Sequence, residues 1–409
     1  MPFWFIMTAR QPHTHPMVFM FLILPFGVMG GYVSVALAYL FAQAGIPVER
    51  VAALVAVGII PHTWKFAWAP LVDSLLTRKT WYLLAAVLSA AGIWATAVLP
   101  IRASSLPLLS TVVLVSNFAV TFLGMATDSL MAYGTPPELK GRAGGWFQAG
   151  NLGGAGLGGG AGLWLAQRLP TPGMAGGILA LACLACCLAL FFVPEPKSTI
   201  RDPRVFKTVA NVFNDLWGLA RSRPGLVALF LCFLPIGSGA ASNLWSAVAD
   251  DWRASADTVA LVTGVLGGIL SAAGCLLGGW VCDRMDRKGA YVWYGVLQAV
   301  CAIGMALAPR TQGMFIVFTS LYALITGLTY AGFTAFVLEA MGTGAAATKY
   351  NVFASLSNTP IYYMTLIDGR AHTRWGAAGM LNTEATFCLL GMVLFFGVVA
   401  LLNKANRAR

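Results

Sequence analysis

The sequence predicts an all-α membrane protein in which twelve transmembrane helices form two pseudo-symmetric six-helix bundles. Hydrophobic residues fill 58% of the 409 positions and charged residues only 10%, too apolar a balance for a water-soluble domain of this size. Apolar runs of about 18 residues or more, each able to cross about 30 Å of hydrocarbon as a helix, recur along the chain. A charged motif from the first half also returns in the second, about half a chain length later.

The predicted spans cover residues 17–43, 49–73, 80–100, 107–133, 143–167, 173–193, 224–249, 257–283, 289–308, 313–341, 346–368 and 385–402. Residues 1–16 carry Arg10, His13 and His15 and read as an N-terminal tail without a cleavable leader pattern. The first bundle is expected over 17–193 and the second over 224–402, followed by a short tail at 403–409. Between them, residues 194–223 form the one long polar connection. Within it Phe206, Val209, Val212, Phe213, Leu216 and Leu219 recur at helical spacing, which predicts an amphipathic helix on the membrane face.

Net charge is +11, so the placement of the 26 Lys and Arg residues decides between nucleic-acid binding and membrane topology. Eighteen of them, including Arg78, Lys79, Lys140, Arg142, Arg284, Arg287 and Lys288, fall on the side of the two termini. Seven (Arg50, Arg102, Arg168, Arg253, Arg310, Arg370 and Arg374) fall in the opposite loops, and Lys65 alone lies inside a span. The positive-inside rule therefore predicts cytoplasmic termini in a bacterial inner membrane, and the basic excess gives no support to nucleic acid as a partner. Eight cysteines, mostly within apolar runs and with no even framework in an exposed loop, point to neither disulfides nor metal sites.

The repeat is clearest where spans 2 and 8 end. "DSLLTRKTWY" begins at Asp73 and "DRMDRKGAY" at Asp283, so an Asp, an Arg-Lys pair and an aromatic recur about 210 residues apart. A parallel repeat of two six-span halves resembles the major facilitator arrangement, in which the substrate site lies between the halves. The stretch "WKFAWAPLVD", Trp64 to Asp73, is similar to a motif of the peptide and acetyl-coenzyme A transporter family, to which muropeptide permeases belong and near which siderophore importers fall. "ATDSLMAYGTPPELKGRAGGWFQAGNLGG" from Ala126 and "YNVFASLSN" from Tyr350 resemble the same family. The resemblance implies alternating access, with Asp73 and Asp283 joining Arg78, Arg142 and Arg287 in a cytoplasmic gate.

Charges inside the hydrocarbon are costly unless paired or wet, which makes Lys65 a candidate substrate contact or ion-pair partner, with snorkelling as the alternative. Asp128, about five residues from the end of span 4, is the one carboxylate read as lying inside a cavity-facing span. It is the candidate proton-coupling group, or else a structural partner of Lys65 or Arg142. His62 reads as a core histidine or a relay, and Glu339 as interfacial.

Polar stripes predict the water-facing helix sides: Tyr32, Tyr39 and Gln43 in span 1, Gln148 and Asn151 in span 5, and Ser238, Ser242 and Trp245 in span 7. Tyr322, Thr326 and Tyr330 in span 10, and Asn351, Ser355, Asn358, Tyr362 and Thr365 in span 11, extend the set. Of these, Tyr32, Tyr39, Gln148, Asn151, Trp245, Tyr330, Asn351, Ser355, Asn358 and Tyr362 join Lys65 as substrate-binding candidates. Glycines crowd span 5 in "GGAGLGGGAG", but no strand precedes them, so close helix packing explains them better than a phosphate loop.

These features predict a secondary active transporter, monomeric and driven by protons, for a bulky polar metabolite such as a muropeptide or siderophore. No cofactor is implied, and the absence of a nucleotide-binding motif excludes an ATP-driven pump. A coenzyme A ester would call for more cations than the cavity offers. A membrane enzyme would need a His-Asp pair, and the adjacent acids Asp250 and Asp251 have no histidine near them in sequence. A sensor on the same fold that binds without transporting is the remaining alternative.

Overall fold

The computed structural model describes residues 14–136, 139–195, 214, 217–218, 221, 223–282, 284–341 and 352–407. Among them the chain forms twelve helical segments, numbered here in order: α1 Val18–Gln43, α2 48–74, α3 Arg78–Val98, α4 Leu106–Gly134, α5 140–168, α6 Pro172–Phe192, α7 223–252, α8 Ala256–Cys282, α9 Arg287–Leu307, α10 Gln312–Met341, α11 352–375 and α12 377–407. Eight stretches among the described residues are long and apolar enough to cross a membrane by composition and length alone. Large apolar side chains such as Phe191, Leu276 and Val393 point outward, where lipid rather than protein would cover them. The amphipathic helix predicted at 206–219 lies almost wholly outside the described residues.

The duplicated motif builds the same local structure twice. Thr77 Oγ1 accepts from Thr80 N at 3.2 Å, and Asp286 Oδ2 accepts from Gly289 N at 2.8 Å, so a polar side chain caps the start of α3 and of α9. Five residues past each cap stands a buried tyrosine. Tyr82 OH donates to Leu22 O on α1 at 2.9 Å, and Tyr291 OH donates to Ile236 O on α7 at 2.6 Å. Each half thus pins its third helix to its first by a tyrosine at the same place in the repeat.

Glycines set the closest helix contacts. A Cβ on Gly31 or Gly158 would meet the α5 or α1 backbone at 2.0 Å, and one on Gly160 would meet Ala260 O of α8 at 2.6 Å. The α5 glycines therefore bring α5 backbone to backbone with α1 inside one half and with α8 across the two. Single π turns interrupt these helices at Tyr32–Leu37, Leu157–Ala161 and Ala260–Leu266. A second crossing joins the halves where Gly369 of α11 fits against Ala52 of α2.

Three helices depart from the sequence expectation. Span 2 is not continuous: Pro61 lacks an N–H, and Trp64 and Trp68 leave helical geometry around a 3-10 turn at Lys65–Ala67. Span 7 is helical only over Arg223–Phe233, then unwinds through Pro235 and two glycines of positive φ, Gly237 at 61° and Gly239 at 69°. Two short 3-10 turns, Ala240–Leu244 and Ala249–Trp252, complete it. The loop expected at 369–384 does not exist. Helix runs from Asn358 to Arg407 with one break at Gly376 (φ 67°), so Arg370 and Arg374 sit on the last turns of α11 and Glu384 on the third turn of α12.

Candidate functional site

The twelve segments alternate between two ends of the bundle. The near end holds the start of α1 and the α2–α3 and α8–α9 turns; the far end holds the α1–α2 turn and the Gly376 hairpin. At the far end the halves are joined by polar contacts. Gln43 Nε2 donates to Asp250 at 2.8 Å, Arg168 holds Asp257 at 3.0 Å, Arg370 Nε holds Glu49 at 3.0 Å, and Glu49 N donates to Thr373 Oγ1 at 3.2 Å. Among the described residues no side-chain hydrogen bond crosses between the halves at the near end. The described polar contacts between the halves thus lie at the far end.

Lys65 and Asp128 lie in the N-terminal half, on α2 and α4. The 3-10 turn carries Lys65 to the inner side of α2, about 13 Å above Ser74 at a helical rise of about 1.5 Å per residue. Both side chains are half-buried, each within electrostatic reach of the other, and neither belongs to a salt bridge among the described residues. His62 packs edge-on against Phe26 at 5.2 Å, with Nε2 3.4 Å from Asn117 Oδ1, in keeping with a core histidine.

The other predicted site residues divide between open and closed positions. Gln148 is exposed; Asn151, Asn358 and Tyr362 are half-buried; and Tyr330 keeps 53% of its surface although protein surrounds it, as a side chain on a cleft wall does. Tyr330 also borders a cavity of about 40 Å³ shared with Gly237, Ser238, Tyr291 and Ser357, enough for a few waters. Tyr32, Tyr39, Trp245 and Ser355 are buried in this conformation: Tyr32 is within hydrogen-bond reach of Thr96, Tyr39 lies by Asp250, and Trp245 meets Tyr322 edge-on at 5.2 Å. Gln43, grouped with the span 1 stripe, serves the far-end seal instead.

Of the gate residues, Arg78 is buried, donates from Nε to Ser129 Oγ and lies 4.6 Å over the Tyr133 ring, contacts that stay within its own half. The backbone N–H groups of Arg78 and Lys79 donate to Glu195, which caps α3 from the end of α6. Arg287 starts α9 and is half-buried. Asn351 and the side chains of Asp73, Arg142, Asp283 and Glu339 lie outside the described residues.

Asp128 is not the only carboxylate inside the bundle, as the sequence had suggested. Asp368 on α11 is fully buried and Glu384 on α12 is 3% exposed. Glu384 Oε1 accepts from Tyr322 OH at 2.9 Å and from Ser238 Oγ at 3.1 Å, and Asp368 is within hydrogen-bond reach of Glu384. A signal was present: Ala377, Met380, Leu381, Glu384, Ala385 and Cys388 are all buried and follow helical spacing. Structure also supplies the His-Asp contact that sequence lacked, with His372 Nε2 2.6 Å from Asp251 Oδ2, but it stands at the far-end seal.

Residues 17–360 match the Major Facilitator Superfamily. The chain belongs to that superfamily. This major facilitator is a multi-pass membrane transporter and not an enzyme. It is 24% identical over 322 residues to the anhydromuropeptide permease of Escherichia coli K12, an alignment covering 75% of this chain and 64% of that protein. The chain thus spans just under two thirds of the curated relative's length. Similar solved structures include a nucleoside transporter (TM-score 0.70, 14% identity, 93% of this chain and 98% of that one) and a D-xylose–proton symporter (0.68, 15%, 91% and 96%). A peptide transporter solved with sulfate has a TM-score of 0.71 at 11% identity, covering 94% of each chain. At these identities the structures establish the shared fold.

Proposed function

We propose that this major facilitator is a proton-driven symporter that carries a bulky aminosugar-peptide of the anhydromuropeptide class across a bacterial inner membrane. The observation that carries the reading is that Lys65 and Asp128, opposite charges inside the N-terminal half, lie within each other's electrostatic reach without a salt bridge among the described residues, while the polar contacts between the halves lie at the far end. An ammonium is suited to a substrate carboxylate or lactyl group, and the half-open Tyr330, Gln148, Asn358 and Tyr362 supply hydroxyl and amide partners for sugar and peptide. The relative's substrate supports the class. With the near end cytoplasmic, as the basic loops imply, the conformation is inward-facing. Asp128 takes the coupling proton in this reading, and Asp73, Arg78, Arg142, Asp283 and Arg287 close the near end in the opposite state. The two bundles, 17–193 and 224–402, rock as units about the site within one monomer.

Uptake of a radiolabelled anhydromuropeptide into proteoliposomes, with and without a pH gradient, tests the reading. Accumulation that needs the gradient, and that Lys65→Gln weakens at the binding step, supports it. Equal uptake without a gradient removes the proton, and binding of an aromatic siderophore in place of the muropeptide changes the substrate class.

A further inference from the structure

Gly376 breaks the long C-terminal helix into a hairpin, and Asp368 and Glu384 stand eight residues to either side of it. On antiparallel helices that places both at one depth, about 12 Å below the far end at about 1.5 Å per residue. They face each other in the interior of the C-terminal half, with 0% and 3% of their surfaces exposed. Glu384 Oε1 has two hydroxyl donors, Tyr322 and Ser238. The other three carboxyl oxygens, Asp368 Oδ1, Asp368 Oδ2 and Glu384 Oε2, have no donor from any other described group.

Every neighbouring titratable group is neutral in its ordinary form. Tyr322 faces the pair from α10, Tyr363 from α11 and Cys388 from α12; α7 contributes the Ser238 hydroxyl, and Gln298 of α9 reaches Tyr322. Among the described residues no Lys, Arg or His compensates the pair. Two dry carboxylates side by side cannot both stay ionised, because like charges repel and neither has water or a cation to stabilise it. A hydrogen placed between them turns two orphaned acceptors into a donor and an acceptor, which is the one partner the site lacks.

We propose that Asp368 and Glu384 share a bound proton and form a proton-binding site of the C-terminal half, separate from Lys65 and Asp128. The proton forms an O–H bond to one carboxyl and a hydrogen bond to the other, and it leaves as hydronium when water reaches the pair. Ser238 ties this site to the unwound part of α7: it donates to Glu384 and also borders the cavity beside Tyr330. The backbone on either side, Gly237 and Gly239, is in the left-handed region and packs against Thr329 and Thr326 of α10. Unwound backbone inside a membrane protein survives where protein or a wet cavity satisfies it. Parting of the far-end seal would expose the pair to far-side water, and the Ser238 cavity offers the route toward the near side. The use of this proton in transport rests on the symport reading above; its presence does not.

Infrared difference spectra of the protein in lipid nanodiscs, taken on a pH titration in H2O and D2O without substrate, test the proposal. A buried protonated carboxyl gives a C=O band that shifts on deuteration. The wild type is expected to show this band at neutral pH, and Asp128→Asn to keep it. Asp368→Asn/Glu384→Gln should lose its whole titrating amplitude. The single variant Glu384→Gln places an amide N–H where the proton sat, so it should fold with an unchanged unfolding temperature while losing the band. A band that survives in the double variant puts the proton elsewhere and overturns the proposal. So does a wild-type unfolding temperature that rises with sodium but not with choline at equal ionic strength, which makes the pair a sodium site. Neither readout needs a substrate or a gradient, so failure here is distinct from failure of the uptake assay.

Discussion

The two halves share a scaffold and differ in their chemistry. Both begin their third helix with a capped Arg-Lys pair and anchor a tyrosine on the first helix, Tyr82 to Leu22 and Tyr291 to Ile236. Yet α1 crosses the bundle as helix with one π turn, while α7 unwinds at Pro235. In the N-terminal half, charges of opposite sign lie within reach of each other toward the near end. In the C-terminal half, two carboxyls of like sign are sealed toward the closed end. A duplicated fold has therefore kept its packing pins while its halves diverged in electrostatics. One half presents two opposite charges within reach of each other, the other a dry acid pair.

The strongest way to break that division is Asp128→Asn. The amide keeps the shape but cannot titrate, so gradient-driven accumulation of an anhydromuropeptide should fall at least about tenfold, while exchange down its gradient continues. Loss of both accumulation and exchange would make Asp128 a structural partner of Lys65. Accumulation that survives would pass the coupling role to the C-terminal pair and remove the distinction between the halves.

Next in size is the contact between the halves. A Cβ on Gly160 would meet Ala260 O at 2.6 Å, so Gly160→Val forces α5 and α8 apart in the far-closed state, with overpacking costing about 1–3 kcal/mol. Cysteines placed beside Gln43 should become more accessible from the far side. Unchanged labelling would mean that the α5 glycines serve packing against α1 alone.

Much of this was legible in the sequence because its signals are local. A single Lys in an apolar run, the Arg-Lys repeat and the glycine crowding in span 5 each keep their meaning without tertiary context. The break in α7 also left a trace, since Pro235, Gly237 and Gly239 fall within six residues, but the apolar run around them reads as one span. Asp368 and Glu384 were hidden for the opposite reason. Arg370, His372, Arg374 and Asn382 make the stretch between them look like a loop, although its outer charges lie at the far-end seal and its inner acids lie in the core. The contact between His372 and Asp251 joins residues 121 apart and is decided by packing alone.

The tyrosine pins sharpen the comparison at a smaller scale. Leu22 O sits within α1 and also accepts from its own helix, so Tyr82→Phe should cost about 0.5–1.5 kcal/mol, the net value of one hydrogen bond. Ile236 O belongs to the unwound segment and has no helical donor, so Tyr291→Phe leaves a buried carbonyl unsatisfied and should cost about 1–3 kcal/mol. Unfolding temperatures of the two variants, measured together, check the difference. Equal losses would mean that α7 satisfies its backbone in another way.

The smallest effect is expected where the two halves meet through exposed charges. Arg370 and Glu49 keep 68% and 45% of their side-chain surface, so water and salt screen their attraction, and each side chain loses rotamer freedom in making it. Arg370→Ala should therefore shift the population toward the far-open state by no more than about fivefold, an exposed pair being worth little. The effect should shrink further in high salt. Glu49 also uses its backbone N–H to reach Thr373, a contact that Arg370→Ala leaves intact. A far-side cysteine should thus label only slightly faster in Arg370→Ala than in the wild type, and much more slowly than in Gly160→Val. The reverse order would make the surface charges, and not the glycine-lined crossing of α5 and α8, the element that holds the two halves together.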